Sequence, residues 1–312
     1  MKFPFRIKES AEFDAVGFGT NAVDFLIRVP DYPANASKIR LTDYTQMAGG
    51  ETASTMSGLC RLGMKTSYAG RFGGDQAGEL GISSLIDEGV DVSACERIEN
   101  AQTQIAFIIV DERSGERTVI WNRDPKLAYS VDEAPTNFAG RGKVLHMAPH
   151  DVPASIELAK QARANGVIVS VDIDNVFDGI VELLPLVDVC ITSDDLPARL
   201  TCIDDQFAAL ADITGRFGCS ISGVTRGAAG SLFYCDGEYF ETPGFSVPGG
   251  CVDTTGAGDA FRTGFLYAML TGETIEQSAV TANAVAALKC RAPGARLGLP
   301  DKDELETFLK KP

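Results

Sequence analysis

The sequence lacks the features that define several large functional classes. It has no C-x-x-C pair, no cluster of lysine or arginine, and no apolar run near the roughly 18 residues that a membrane span requires. Residues 1–14 are charged throughout and carry no apolar block typical of a signal peptide. We therefore expect a cytoplasmic protein that binds neither nucleic acid nor membranes.

Histidine is also scarce, with only His146 and His150 in the chain. Their H-x3-H spacing without a third ligand favours strand-end packing and a loop residue over a metal site. The eight cysteines are scattered, mostly in apolar runs, which favours buried reduced thiols. With 43 acidic against 28 basic residues the net charge is −15, so an anionic ligand would need local dipoles, individual cations or metal ions.

The patterns that are present predict an α/β protein. Of the 312 residues, 45% are hydrophobic, which is enough for a large core. Strand-like and helix-like runs alternate, and strands such as "VIVSVDID" and "VDVCITS" are continuously apolar and rich in β-branched residues. Such strands are typical of a parallel sheet buried on both faces, so we predict a three-layer αβα fold with a mainly parallel central sheet.

Two segments interrupt this alternation. Residues 25–47 and 103–124 look like paired strands with turns, and "IAFIIV", "DERSGE" and "RTVIW" form a hairpin candidate in the second. They predict a small β-sheet that stands off the main domain as a lid, with residues 1–24, 48–102 and 125–312 forming that main domain. The alternative is a set of antiparallel edge strands on the central sheet.

The first glycine motif is G-x-G-x-x-A at residues 17–22, the outline of a dinucleotide fingerprint. That fingerprint needs a helix directly after its glycines, but "FLIRVPDYP" is β-branched and aromatic and contains Pro30 and Pro33. We interpret the motif as a buried strand with a glycine turn. Asp24 then lies near the carboxyl end of a strand, where it is placed to accept hydrogen bonds from a polar ligand, although a turn or capping aspartate gives the same pattern.

The strongest signal is "DTTGAGDAF" at residues 253–261. Gly256 and Gly258 let the backbone bend, so that several N–H groups at the start of a helix point to one spot and form an anion hole. Asp259 lies in the first turn beside this hole. An acid at a helix N-terminus is favourable in itself, but an N–H cluster beside a carboxylate also suits phosphoryl transfer.

At these residues the sequence resembles the ribokinase-like (PfkB) carbohydrate kinases. "DTTGAGDAF" looks like their C-terminal signature, and "MAGGETAST" falls where their N-terminal glycine-rich signature lies. "GVTRGAAGSLF" resembles the strand leading to the nucleotide phosphates, and "TANAVAALKCRAPGA" the helix and loop beside the base. The resemblance implies a ribokinase-like fold whose lid closes over a sugar, and transfer of the γ-phosphate of ATP, with Mg²⁺, to a sugar hydroxyl.

The resemblance also implies roles for individual residues. The catalytic base would be Asp259, beside an anion hole of Gly256, Ala257 and Gly258. The sugar site would include Asp24, Gly49, Gly50 and Ser54. The residues at ATP would be Thr225, Gly227 and Asn283. A monovalent cation such as K⁺ would be held by Asp253 and the carbonyl of Thr255.

The chain departs from the family pattern at three places. Ser54 stands where many members have asparagine in the glycine-rich signature. The family's N-x-x-E, associated with magnesium and phosphate, falls on Ser193 and Leu196. Ala148 stands where an acidic sugar contact is often expected, and His150 or Asp151 are the candidate substitutes.

The acceptor is open at this stage. A ketohexose such as fructose, a pentose such as ribose and a sugar acid all fit the resemblance, and a nucleoside kinase of the same fold or a non-catalytic sensor are alternatives. Arg123 in "IWNRDP" is a candidate contact for a polar or anionic sugar group, unless it is a solvated lid arginine. "IAFIIV" has more apolar residues than a one-sided strand requires, which favours a homodimer through the lid.

Overall fold

The computed structural model describes residues 1–114 and 117–310. The strands, in chain order, are β1 Phe13–Phe18, β2 Ala22–Val29, β3 Asp43–Gly49, β4 Thr66–Ala69, β5 Arg71–Gly73, β6 Glu96–Ile98, β7 Ile105–Asp111, β8 Arg117–Asn122, β9 Gly142–Met147, β10 Ile168–Ile173, β11 Val189–Thr192, β12 Ile221–Thr225, β13 Ser231–Cys235 and β14 Glu238–Thr242. The helices are α1 Glu51–Arg61, α2 Gln76–Asp87, α3 Thr136–Ala139, α4 Val152–Ala164, α5 Ile180–Leu183, α6 Leu196–Thr201, α7 Gln206–Phe217, α8 Ala257–Leu270, α9 Ile275–Lys289 and α10 Lys302–Leu309.

Eight strands form the central sheet, in the order β14-β13-β12-β11-β10-β9-β1-β4. The pairs from β4 across to β12 are parallel, and β13 and β14 add an antiparallel edge. Every residue of β10 and of β11 is buried, as expected for inner strands covered on both faces. The predicted mainly parallel sheet is confirmed.

Helices cover both faces of this sheet and give the three predicted layers. On one face, apolar side chains of α4, α6 and α7 pack against the sheet in a core that includes Leu158, Leu196 and Leu210. On the other face, α1, α2, α8 and α9 contribute a second core that includes Met56 and Phe265. Within the described ranges, no helix has both the length and the apolar character needed to cross a membrane.

A second, separate sheet has the strand order β3-β2-β7-β8. β2 pairs antiparallel with β3 and parallel with β7, and β7 and β8 form an antiparallel hairpin. These are therefore not edge strands of the central sheet. Of the turn "DERSGE", residues 115 and 116 lie outside the described residues.

The small sheet starts earlier in the chain than the sequence pattern indicated. β2 begins at Ala22, only a short turn after β1 ends at Phe18, so Asp24 lies inside the small sheet and not before it. The reason is that the strand "AVDFLIRV" already includes residues 22–24, all three of which are buried. The small sheet thus carries Asp24 directly to the edge of the main domain.

The carboxyl ends of the parallel strands lie along one edge of the central sheet, where ligands bind in open α/β folds. A tight connection there joins β3 to α1 at Gly50, which has φ +87°. A Cβ at this position would lie 2.5 Å from the Cα of Asn21, so only glycine allows this close approach of the two backbones. The connection brings the start of α1 next to the small sheet.

Candidate active site

Two neighbouring cavities lie at this edge. The first, of about 430 Å³, lies between the small sheet and the central sheet and is called here the acceptor cavity. Its polar lining residues include Asp24, Glu51, His150, Asp174, Arg199 and Asp259. The second, of about 270 Å³, is called the nucleotide cavity, and both are bounded by the loop and first turn at residues 254–259.

Asp259 stands at this junction because α8 begins just before it. Gly256 precedes the helix in the left-handed conformation with φ 74°, and Asp259 is the third helical residue. A Cβ on Gly256 would lie 2.7 Å from the Cα of Ala295, so the loop cannot pass there with a larger residue. The N–H of Ala257 already donates to the carbonyl of Thr254 at 3.1 Å. The N–H groups of Gly258 and Asp259 follow in the first turn, where such groups lack a partner inside the helix, and the predicted anion hole beside the carboxylate stays a prediction.

The surroundings of Asp259 favour its neutral form. Burial raises the pKa of Asp259 well above its usual value, and the nearby carboxyl groups of Asp172 and Glu51 raise it further, while Arg262 opposes them. Arg262 is itself buried and pairs with Asp172, with 2.6 Å between Nη2 and Oδ1. A carboxylate with a raised pKa beside an N–H cluster is suited to take a proton from an attacking hydroxyl.

Asp24 reaches the acceptor cavity from the small sheet. In the strand register it lies between Met47 of β3 and Ala106 of β7, and its side chain is buried. Burial raises the pKa of Asp24 to about 6, although the charge of Arg296 opposes this. Gly49 lies directly behind it, since a Cβ there would lie 2.3 Å from Oδ2 of Asp24. Gly49 thus makes room for the carboxylate, and Gly50 lines the cavity itself.

A cluster of three titratable side chains, here called the E–H–D cluster, was not predicted from the sequence. It comprises Glu51 at the start of α1, His150 after β9 and Asp174 after β10, whose ligand atoms lie within 4.8 Å of one another. His150 Nε2 is 3.0 Å from Glu51 Oε2. Among the described residues, this is the group whose side chains are close enough to hold a metal ion.

The charges within the E–H–D cluster depend on one another. Burial disfavours the charged form of Glu51, but the contact with His150 outweighs it and lowers the pKa of Glu51. The same contact raises the pKa of His150 against its burial. Burial and the charge of Glu51 raise the pKa of Asp174 to about 6. At neutral pH the cluster therefore carries two carboxylates, and their neighbour His150 is shifted towards its charged form.

Two predicted sugar contacts do not line the acceptor cavity. Ser54 is buried in α1, where its Oγ accepts a hydrogen bond from Arg296 Nε at 3.2 Å. Arg123 is turned away, because its guanidinium forms a two-bond pair with Asp151 at 2.8 and 2.7 Å. Asp151 is thereby engaged, so of the two candidate substitutes for Ala148 only His150 lines the cavity.

The segment that matches N-x-x-E offers no carboxylate at its last position. Leu196 is fully buried in the core at the start of α6. The two acids between the matching positions are tied elsewhere: Asp194 accepts a hydrogen bond from Gln206 Nε2 at 2.7 Å, and Asp195 pairs with Arg199 at 3.3 Å. The position that matches the family's glutamate therefore has no carboxylate to hold a metal.

The predicted ATP residues line the nucleotide cavity. Thr225 ends β12, and Gly227 opens a turn with φ +56°. Asn283 on α9 is buried, and its Nδ2 already donates to Thr242 Oγ1 at 2.8 Å and Ser231 Oγ at 3.2 Å. Phe245 adds an apolar wall. A slot with apolar walls at one end and backbone N–H groups at the other suits a base joined to phosphates.

Asp253 orders the loop before α8. Its carboxylate accepts hydrogen bonds from the backbone N–H groups of Thr255 and Gly294, both at 2.8 Å. Although burial opposes ionisation, these bonds hold the pKa of Asp253 below its usual value. The buried Lys289 donates to the carbonyl of Asp253 at 2.9 Å. These contacts fix the backbone of the loop before α8.

The small sheet contacts the loop before α8. Arg117, the first residue of β8, donates a hydrogen bond to the Oγ1 of Thr254. Met47 of β3 lies so close to Gly294 that a Cβ there would lie 2.2 Å from its sulfur. The small sheet therefore reaches across the acceptor cavity and contacts the loop that leads to Asp259.

Taken together, a helix N-terminus with an adjacent carboxylate, placed between a polar cavity and a nucleotide-shaped cavity, defines a small-molecule phosphotransferase. Comparison with known proteins makes this specific. Residues 14–302 match the pfkB family of carbohydrate kinases, and the chain belongs to that family. The protein is thus an ATP-dependent phosphotransferase that acts on a sugar hydroxyl.

The chain is similar to kinases that are named for different substrates. It is 28% identical over 293 residues to the ATP-dependent ribose-1-phosphate kinase of Halopiger xanaduensis, covering 92% of this chain and 95% of that protein. It is 26% identical to the ribokinase of Haemophilus influenzae, covering 94% and 97%. The Arabidopsis thaliana ribokinase structure, solved with ribose and ATP, has the same fold with a TM-score of 0.83, 24% identity and coverage of 96% and 99%.

Proposed function

We propose that the protein transfers the γ-phosphoryl group of ATP to a hydroxyl of a small sugar in the acceptor cavity, with Asp259 as the general base. The observation that carries this proposal is the position of Asp259. Its carboxyl group lines the acceptor cavity, while the preceding residues of the same helical turn line the nucleotide cavity. An acceptor hydroxyl and a terminal phosphate therefore meet at this carboxylate.

The remaining residues divide the work by location. Asp24 accepts hydrogen bonds from sugar hydroxyls and Gly50 lets the sugar approach the backbone. The N–H groups of Gly258 and Asp259 stabilise the charge on the transferred group. Positioning of this kind contributes at most about 7–11 kcal/mol of the barrier reduction. Proton removal by a placed base contributes about 10²–10⁴-fold.

The nucleotide cavity fits ATP, with Thr225 and Gly227 at the phosphates and Asn283 near the base. Mg²⁺ bound to ATP would neutralise charge on its phosphates. Because Leu196 offers no ligand, we propose that the metal reaches the site as the ATP complex. A monovalent cation site at Asp253 and the carbonyl of Thr255 stays a prediction. A comparison of turnover in K⁺ and in Na⁺ buffers tests it.

The small sheet is proposed to act as a lid over the acceptor, because its contacts with the loop before α8 span the cavity. Its other face is apolar: Phe25 packs against Phe107 with 5.0 Å between ring centroids, and Tyr44 and Ile120 are about half exposed, at 50% and 53%. We propose that this face pairs two subunits. Light scattering of the wild type and of Phe107→Asp measures this, with a monomeric wild type as the contrary result.

A substrate panel tests the proposed function. Purified protein with Mg²⁺ and ATP is assayed for ADP release with ketohexoses, pentoses, sugar acids, sugar phosphates and nucleosides. We expect acceptor-dependent ADP release and a phosphorylated product by mass spectrometry. A nucleoside as the only acceptor would point to the nucleoside kinase alternative, and binding without turnover of any acceptor would point to a sensor.

A further inference from the structure

The E–H–D cluster lies in the acceptor cavity, yet the proposed chemistry at Asp259 does not use it. Glu51, His150 and Asp174 come from three separate segments, and all three line the cavity wall. Their polar atoms are therefore available to the part of the acceptor that does not react.

The charge balance of the cavity is negative. Four carboxyl groups line it, those of Asp24, Glu51, Asp174 and Asp259, and three of them remain once Asp259, whose surroundings favour the neutral form, is set aside. His150 is the cationic candidate within the cluster. The other lining cation, Arg199, pairs with Asp195 at 3.3 Å and donates to Asn175 Oδ1 at 2.5 Å, so the charge of Asp195 partly offsets its own.

Two further arginines lie behind the wall without changing this balance. Arg262 forms an ion pair with Asp172, and Arg296 donates hydrogen bonds to the carbonyl of Gly49 at 2.6 Å and to Ser54. Both are buried and are not among the lining residues of the acceptor cavity. An anionic group in this cavity would thus face more carboxylates than cations among the described lining residues.

Ionised carboxylates accept hydrogen bonds and cannot donate them. A wall made largely of such groups fits hydroxyl or amino groups, which donate, and it repels phosphate and carboxylate groups. At an effective dielectric constant of about 20, two like charges about 5 Å apart repel enough to lower an affinity by more than roughly 100-fold. The acidic wall is therefore a selective feature as well as a binding one.

Resting on the proposed kinase function, we propose that the E–H–D cluster is the specificity subsite for the non-reacting end of the acceptor. This subsite selects an end that bears hydroxyl or amino groups, and it excludes sugar phosphates and sugar acids. Glu51 and Asp174 are the specificity-determining residues, and His150 positions Glu51 through their hydrogen bond. The name of the Halopiger relative, a ribose-1-phosphate kinase, makes this a departure from a similar protein.

Trp121 supplies a direct binding probe. It is the only tryptophan of the chain, it lines the acceptor cavity, and its side chain is 59% exposed. Trp121 pairs with Ala106 across β7 and β8, and Ala106 pairs with Asp24 across β2 and β7. The side chains of Trp121 and Asp24 therefore lie on the same face of the small sheet. Acceptor binding is therefore expected to change its fluorescence without any need for turnover.

The experiment compares the wild type with Glu51→Gln, Glu51→Lys and Asp174→Asn, using Glu238→Lys on the exposed part of β14 as the control for a charge change alone. Each protein is titrated by Trp121 fluorescence with ribose, fructose and glucosamine, and with ribose 1-phosphate and gluconate. Each is also assayed for kcat/KM with ATP. Circular dichroism checks that the variants are folded.

We expect the wild type to favour the uncharged and amino acceptors over the anionic ones by at least about 100-fold. Glu51→Lys and Asp174→Asn should reduce this ratio by about 10-fold or more, whereas Glu238→Lys should leave it unchanged. A wild type that prefers an anionic acceptor overturns this inference and leaves the kinase function intact. Absence of transfer to every acceptor overturns the kinase function, and the inference with it.

A second measurement guards against a metal role for the cluster. Calorimetric titration with Mn²⁺ in the absence of ATP is expected to show no binding that depends on Glu51. Tight binding to the wild type that is lost in Glu51→Gln would assign the E–H–D cluster to a metal ion and overturn the specificity role.

Discussion

The buried pair of Arg262 and Asp172 gives the most quantitative prediction. The side chains are 3% and 7% exposed, and their charged atoms are 2.6 Å apart. Arg262 also donates to the carbonyl of Ile191 at 3.1 Å, which ties α8 to β11. Because removal of one member leaves an uncompensated charge in the interior, we expect Arg262→Met to lower the free energy of unfolding by about 3–5 kcal/mol.

Urea unfolding followed by circular dichroism measures this, with a double-mutant cycle to isolate the pair. Asp172→Asn alone should also destabilise, and the double variant should recover about 1–3 kcal/mol relative to the sum of the single changes. Arg199→Met is the matched control. Its i,i+4 pair with Asp195 is largely exposed, so its loss should cost less than about 1 kcal/mol.

The pH dependence adds a second check. Burial raises the pKa of Asp172, and Arg262 opposes this. Removal of the arginine should raise that pKa further, so the folded variant binds a proton that the unfolded chain releases. In the wild type the pKa of Asp172 is about 7, so the stability deficit of Arg262→Met should grow as the pH rises above about 7 towards 8.5. A deficit below about 1 kcal/mol at pH 8.5, or additive single changes, would refute this reasoning.

Three further predictions concern other parts of the molecule. Burial lowers the pKa of His146 to about 3, so the unfolded chain takes up a proton before the folded protein does as the pH falls. Between pH 8 and pH 5 this histidine should therefore cost about 2 kcal/mol of the free energy of unfolding. His146→Gln should lack this contribution when the two proteins are compared by urea unfolding. Gly256→Ala should reduce turnover by at least about 10-fold, since the residue has φ 74° and no room for a Cβ, whereas Gly237→Ala, with φ +83° in open space, should cost only about 1 kcal/mol of stability and leave kinetics unchanged. Arg123→Met should cost about 1–3 kcal/mol of stability through loss of its pair with Asp151 and leave the acceptor KM within about twofold, and a large rise in KM would return Arg123 to the sugar site.

The parts of the fold that could be predicted from the sequence are those with a strong local signal. Continuously apolar strands such as β10 and β11 indicated a sheet buried on both faces, and the absence of helix patterns in two segments indicated a second sheet. The strand that carries Asp24 was placed too late, because the short turn after β1 leaves no composition change between the two sheets. Local patterns therefore predicted the layers of the main domain more accurately than the boundary between the central sheet and the small sheet.

The same distinction applies to the site. "DTTGAGDAF" brings its loop, glycines and carboxylate together within nine residues, so the sequence alone could place Asp259 at a helix start. The E–H–D cluster assembles from residues up to 123 positions apart. The sequence indicated His150 as a candidate sugar contact, and the two acids in "VDID" lie at a strand end, but no local pattern joins them to Glu51. The burial of Ser54 depends on Arg296, which is 242 residues away, and no local pattern indicates that contact.

The central claim is that Asp259 removes the proton from the acceptor hydroxyl. Its most direct test is kcat for Asp259→Asn with the best acceptor of the panel, measured alongside the dissociation constant of ATP. Asparagine keeps the shape of the side chain but cannot take the proton, so kcat should fall by about 10²–10⁴-fold while ATP binds as in the wild type. An Asp259→Asn variant with the turnover of the wild type would contradict the account.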